Sequence, residues 1–272
     1  MSRPNLQARN GPTHGRSDAG IRTPAAALLT ERLCRRAHAS ALLLDVDGTL
    51  LDIAATPDAV VVPTALRNAL ARLHARLDGA LALVSGRPIA VLDRLFAPLR
   101  LPAAGAHGTE WRLRADDAIA RTATIDAALR AQLVALADRH PGVLVEDKAC
   151  SVALHYRGAA AARQPLAASI AALLATPAAT GLRVLPGKMV FEVVGTDGDK
   201  ARAVQRFVAA PPFAGRTPVF IGDDVTDEPA LALMPQLGGL ALAVGRPMPG
   251  ARAVFDDAAA VRAALVAAAQ AR

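Results

Sequence analysis

Four apolar runs in this chain each end in a polar cluster, at residues 45–49, 85–87, 105–108 and 223–227. The runs lack alternation, as strands do when both of their faces are buried. Strands of that kind belong to an open parallel sheet sandwiched by helices, and such a sheet binds ligands at the carboxyl ends of its strands. Between them lie stretches with helical spacing. Pro63 opens one that carries Leu66, Leu70, Leu73 and Leu77, and an Ala-rich stretch over 257–270 closes the chain. The expected architecture is α/β, with strands at Leu42–Leu44, Ala80–Val84, Thr217–Ile221 and Leu240–Val244 in one core.

The first cluster is the sharpest. Ala41 to Asp52 reads Ala-Leu-Leu-Leu-Asp-Val-Asp-Gly-Thr-Leu-Leu-Asp. Two carboxylates one residue apart, Asp45 and Asp47, repel when both are ionised. A divalent cation offsets that charge, and hard oxygen donors suit Mg²⁺. Gly48 permits a tight turn or close approach of a ligand, and Thr49 offers a hydroxyl to a phosphate oxygen. Ser85-Gly86-Arg87-Pro88 ends the second run where a helix begins, a favourable place for an anion, although Ser85 fits a plain helix cap equally well. The fourth cluster, Gly222-Asp223-Asp224-Val225-Thr226-Asp227-Glu228, again gathers carboxylates after a strand. An acidic helix start explains part of it, because acids stabilise that end. Lys200 opens a helix, where the macrodipole disfavours a cation, so a specific partner is expected for it.

From about 112 to 195 the pattern changes. Helices over 125–139 and 160–175 alternate with strands at Val143–Glu146, Ser151–Tyr156, Leu182–Leu185 and Met189–Val194, too closely spaced for βαβ units. This predicts a small α+β module with an antiparallel sheet, inserted between core segments 25–111 and 196–272, while residues 1–24 read as a disordered tail. Only three of the 31 basic residues are lysines: Lys148, Lys188 and Lys200. Positions that keep lysine are candidates for needing a compact ammonium. Glu146 with Lys148, and Lys188 with Glu192, have the spacing to share strand faces. Carboxylates and ammonium groups on one face suit a polyhydroxyl ligand, though exposed ion pairs on a solvated sheet have the same sequence. His107, in Gly105-Ala-His-Gly108, reads equally as a substrate contact or a loop histidine.

Asp-Val-Asp-Gly-Thr-Leu after an apolar strand resembles the first motif of the haloacid dehalogenase superfamily of aspartate-nucleophile phosphatases. The resemblance implies Asp45 as nucleophile, Asp47 as general acid/base, and Mg²⁺ held by Asp45, the backbone oxygen of Asp47, and Asp223, with Asp224 and Asp227 as ligands or orienting groups. It implies Lys200 beside Asp45 and phosphate contacts from Thr49, Ser85, Gly86 and Arg87. Glu-x-Lys…Ser…His-Tyr-Arg, then Gly-Lys…Glu, together with Gly-Asp-Asp-x-Thr-Asp-Glu, resembles trehalose-6-phosphate phosphatases. That family's cap contacts carry over to Glu146, Lys148, Arg157, Lys188 and Glu192, with Ser151 and His155 in lesser roles. The family's usual Lys-Gly is here Lys200-Ala201. Trehalose 6-phosphate is then the expected substrate, with another sugar phosphate, of sucrose or a hexose, as the alternative.

A net charge of +7 raises the question of nucleic acid. The tail supplies +3 of it through Arg3, Arg9, Arg16 and Arg22 against Asp18, and the rest is scattered. Aromatic residues are few and sit in apolar runs, so stacking platforms are missing. A basic-surface nucleic-acid binder that has kept a phosphatase fold would bind DNA without needing Asp45. No apolar run approaches the ~20 residues of a membrane helix, no apolar segment before Pro24 reads as a secretory signal, and Cys34 and Cys150 stand far apart. These features predict a cytoplasmic enzyme, monomeric, with neither nucleic acid nor membrane as partner.

Overall fold

The computed structural model describes residues 24–53, 60–122, 125–147, 151–195 and 199–271. Most of the expected tail, with Lys148, Cys150 and Gly198, lies outside the described residues. The core is one eight-stranded sheet. In chain order its strands are β1 (Ser40–Leu44), β2 (Leu81–Val84), β3 (Ala103–Gly105), β4 (Glu110–Arg112) and β5 (Ala120–Arg121). A cap follows, built on β6 (Leu144–Asp147), β7 (Ser151–His155), β8 (Leu182–Gly187) and β9 (Val190–Gly195). The chain then returns to the core sheet through β10 (Thr217–Gly222), β11 (Leu240–Val244) and β12 (Ala253–Phe255).

The order across the core sheet is β12-β11-β10-β1-β2-β3-β4-β5. Pairing is parallel from β12 to β3 and antiparallel at β3–β4 and β4–β5. Every residue of β1, β2 and β11 is buried, as continuous apolar strands require. Helices α1 (Ala25–Thr30), α2 (Thr64–Arg76), α3 (Ile89–Phe96), α6 (Lys200–Val208), α7 (Glu228–Leu233) and α8 (Ala258–Gln270) bury their apolar stripes against the sheet. Leu66, Leu70 and Leu73 of α2 are each essentially inaccessible, and removing such a side chain from water contributes roughly 1.5–3 kcal/mol. Strand order reverses at β1: the chain runs outward to β2 on one side and returns to β10 on the other. Asp45 at the end of β1 and Asp223 just past β10 therefore face each other across the switch point, where such sheets bind ligands.

The cap sheet runs β6-β7-β9-β8, antiparallel throughout. Helices α4 (Ala127–Asp138) and α5 (Arg163–Leu174) cover one face, packing Leu129, Leu133, Leu166 and Ile170 on Val152, Leu154, Phe191 and Val193. Asp126 caps α4 by accepting from the Ala128 and Leu129 N–H groups. Strand alternation puts Ser151, Ala153, Glu192 and Val194 on the opposite face.

Two expectations need adjusting. The core sheet continues past the 111–112 boundary to Arg121, because a turn in which the Asp117 side chain accepts from the Arg114 N–H folds β5 back on β4. Lys188 does not share a face of β9 with Glu192. It sits exposed in the two-residue turn with Met189, whose φ of +64° ends β8 and starts β9.

Candidate active site

The end of β1 delivers Asp45 into the interior, with only 3% of the residue exposed. Its Oδ1 accepts a 2.6 Å hydrogen bond from Lys200 Nζ, and Lys200 donates a second, also 2.6 Å, to Asp227 Oδ1. Lys200 enters from the first turn of α6, which Asp199 starts by accepting from the Arg202 N–H. This is the partner that a buried lysine at a helix N-terminus demanded. Asp227 is in turn fixed from behind: its Oδ2 accepts from the backbone N–H groups of Asp223 and Asp224. Asp223 is held by Thr49, whose hydroxyl donates to its Oδ1 at 3.0 Å.

Electrostatics follow from this packing. Burial pushes the Asp45 carboxyl up to about 6, a rise that Lys200 opposes and Asp223 adds to. Burial likewise raises Asp227 to about 6, with Asp45 adding to it, and burial raises Asp223. Burial would lower Lys200, yet Asp227 and Asp45 together hold it above the usual lysine range, so the ammonium stays charged. Asp45, Asp223 and Asp227 each place an oxygen within 4.8 Å of the others. Three carboxylates face one ammonium, and Asp45 Oδ2 is buried without a hydrogen-bond partner. An excess of negative charge, hard oxygen donors and an unpartnered buried oxygen fit a divalent cation. Gly48 leaves the room: at φ +86° its backbone lies so close that a Cβ would meet Asp223 Oδ2 at 2.0 Å.

Asp47 is directed elsewhere. Arg87 grips it with a forked pair, Nε to Oδ2 and Nη2 to Oδ1, both 2.7 Å. The Asp47 side chain therefore lies outside the three-carboxylate cluster, and so does Asp224, which is exposed at the turn into α7. Ser85 sits buried at the end of β2, its hydroxyl accepting from the Arg87 N–H. Behind this loop stands Glu110, which the sequence did not single out. Its Oε1 accepts from the Ile89 N–H and its Oε2 from Arg121, so β4 caps α3 across the fold. Nothing local in Glu110-Trp111-Arg112 announced this role.

Across the cleft, the cap presents Glu192, 7% exposed, and Glu146. Both flank Ala153 in the register, so they share the face opposite the helices. Ser151 donates to Glu192 Oε1 at 2.6 Å, and His155 Nε2 lies 3.0 Å from Glu146 Oε2. His107, from the core, approaches Glu192 Oε2 at 3.3 Å. Arg157 and Lys188 are exposed at the turns that end β7 and begin β9. Among the described residues, no helix is long and apolar enough to cross a membrane.

Comparison with known proteins places the chain in a family. The family model for trehalose-phosphatase matches residues 43–244. A probable trehalose-phosphate phosphatase of Sinorhizobium fredii is 44% identical over 217 residues, covering 79% of this chain and 81% of the relative. The trehalose-6-phosphate phosphatase of Escherichia coli K12 is 38% identical over 213 residues, or 75% and 77% of the two chains. The C-terminal domain of a Candida albicans trehalose-6-phosphate phosphatase superposes with a TM-score of 0.74 at 21% identity, covering 94% of this chain and all of that one, a likeness of fold. The chain belongs to the trehalose-phosphatase family, and its core has the fold of the haloacid dehalogenase superfamily.

Proposed function

We propose that this enzyme hydrolyses trehalose 6-phosphate to trehalose and inorganic phosphate, with Asp45 as nucleophile. The observation that carries the reading is the Asp45 carboxylate itself: one oxygen is tied to Lys200, the other is buried and unpartnered at the switch point. Asp45 Oδ2 attacks phosphorus while the ester P–O bond breaks, and the departing sugar oxygen takes a proton from Asp47. Water then attacks the aspartyl phosphate, Asp47 takes its proton, and the P–O bond to Asp45 breaks, releasing phosphate. Splitting the displacement this way replaces one hard step with two easier ones. Arg87 orients Asp47 between the two steps, and the Ser85 hydroxyl with the Gly86 backbone offers the remaining phosphate contacts. Thr49 acts at one remove by holding Asp223. Lys200 keeps Asp45 approachable by a dianion.

Mg²⁺ would be held by Asp45 and Asp223, with Asp227 behind them, and would supply charge neutralisation for the phosphoryl group. Glu192 and Glu146, steadied by Ser151 and His155, read the sugar hydroxyls, with Arg157, Lys148 and Lys188 as further cap contacts. Closing the cap over the sugar excludes water from the first step. The test is phosphate release with Mg²⁺ from trehalose 6-phosphate, sucrose 6-phosphate, glucose 6-phosphate and an aryl phosphate. Strong preference for the first, abolished by chelator, is expected. Equal rates on all four would refute the sugar assignment of the cap, and no release from any would refute the chemistry.

A further inference from the structure

At His107 a core side chain meets one of the cap. It follows β3 in a turn whose backbone is left-handed at two non-glycine residues, φ +46° at Ala106 and +55° at His107. Such conformations cost on the order of 1 kcal/mol each and persist only when surroundings hold them. Here the holding groups belong to the phosphate loop: the His107 N–H donates to Ser85 O at 3.1 Å and the Ala106 N–H to Arg87 O at 3.0 Å. The imidazole then lies over Gly86, where a Cβ would meet ring atoms at 2.7–2.8 Å, so only glycine lets the ring settle there. From that seat Nε2 reaches Glu192 Oε2 of the cap at 3.3 Å, with the His107 side chain 16% and the Glu192 side chain 9% exposed. Ser151 holds the other oxygen of the same carboxylate.

We infer that His107 is a positioning residue: it ties the sugar-reading Glu192 of the cap to the Ser85–Arg87 phosphate loop, and so sets the spacing between sugar and phosphoryl sites. This rests on the proposed function and names a residue that acts through Glu192. The strained turn, the glycine under the ring and the two backbone bonds all serve to aim one nitrogen across the cleft. A histidine touching the sugar directly would contribute independently of Glu192; one that works by holding Glu192 has nothing to contribute once Glu192 is gone.

A double-mutant cycle separates these cases. kcat/KM for trehalose 6-phosphate is measured for the full chain, His107→Ala, Glu192→Ala and the double variant, with Mg²⁺ and with melting curves for each. His107 Nε2 meets the Glu192 carboxylate at 3.3 Å, and losing one such contact to a charged group corresponds to roughly tenfold, so His107→Ala should lose about that factor. The double variant should be no slower than Glu192→Ala alone, and His107→Gln, which keeps a donor, should recover most of the loss. If the two losses multiply, or if His107→Ala loses nothing, the inference falls. Should His107→Ala fail to fold, the cycle is run with His107→Gln and His107→Asn: near-wild-type activity for glutamine and a loss for asparagine that vanishes in the Glu192→Ala background support it, and equal multiplicative losses overturn it. A wild-type chain inert toward trehalose 6-phosphate would instead overturn the substrate assignment.

Discussion

Replacing Lys200 by methionine keeps the side-chain length and removes the ammonium that Asp45 and Asp227 share at 2.6 Å. Removing one partner of a buried ion pair costs roughly 3–5 kcal/mol. For a chain of this size each kcal/mol moves the melting temperature by about 2–4 °C, so the variant should melt on the order of 10 °C lower at pH 8 in chelator. The deficit should depend on pH with a definite sign. Burial already pushes Asp45 and Asp227 up to about 6 with Lys200 present, and without it they rise further. A carboxyl whose folded pKa lies above its unfolded value adds stability at low pH and loses it as pH rises through the folded value. The difference between wild type and variant therefore accumulates above pH 6 and is smaller at pH 5. Scanning fluorimetry at both pH values measures it. An equal loss at pH 5 and pH 8, or no loss, would refute the assignment of Lys200 as the neutralising partner of this cluster.

Asp45→Asn should abolish turnover, yet at pH 8 without metal it should melt higher than wild type. Raising a carboxyl from 3.8 to about 6 costs about 3 kcal/mol at that pH, and the amide avoids it; a lower melting temperature would contradict the burial argument. Gly48→Ala places a methyl group against the Asp223 carboxylate, so the rise in melting temperature that Mg²⁺ produces in wild type should disappear, and its retention would separate Asp223 from metal binding. Glu192→Ala should lower the ratio of kcat/KM for trehalose 6-phosphate to that for an aryl phosphate by at least about tenfold, the value of a lost hydrogen bond to a charged group; an unchanged ratio would remove Glu192 from sugar recognition.

What could be read from the sequence was local or periodic. Leu42 to Leu44 running into Asp45, and Thr217 to Ile221 into Asp223, marked strand ends whose chemistry follows from parallel-sheet topology. Lys200 at a helix start is a misfit for a surface residue, and the resemblance sets it beside Asp45; the structure adds Asp227 as the second acceptor of its ammonium. What was illegible depends on residues distant in the chain. The resemblance makes Arg87 a phosphate contact, but nothing local shows that its guanidinium forks onto Asp47, forty positions earlier. Glu110 caps α3 from a neighbouring strand, an interaction with no local spacing rule. Lys188 was placed on a strand because Lys-x-x-x-Glu fits period two; Met189 in the left-handed region turned the chain first. The coupling of His107 to Glu192 joins core and cap and is invisible to any pattern within either.

The most direct test of the account is capture of the covalent intermediate. Wild type, Asp47→Asn and Asp45→Asn are mixed with trehalose 6-phosphate and Mg²⁺, quenched in acid within a turnover, and their intact masses and peptides compared. The account predicts one added phosphoryl group on Asp45, accumulating most in Asp47→Asn because the water that clears it lacks its base, and none in Asp45→Asn. Phosphate released by wild type with no phosphoryl group on Asp45 in either of the first two proteins would contradict nucleophilic catalysis by this residue.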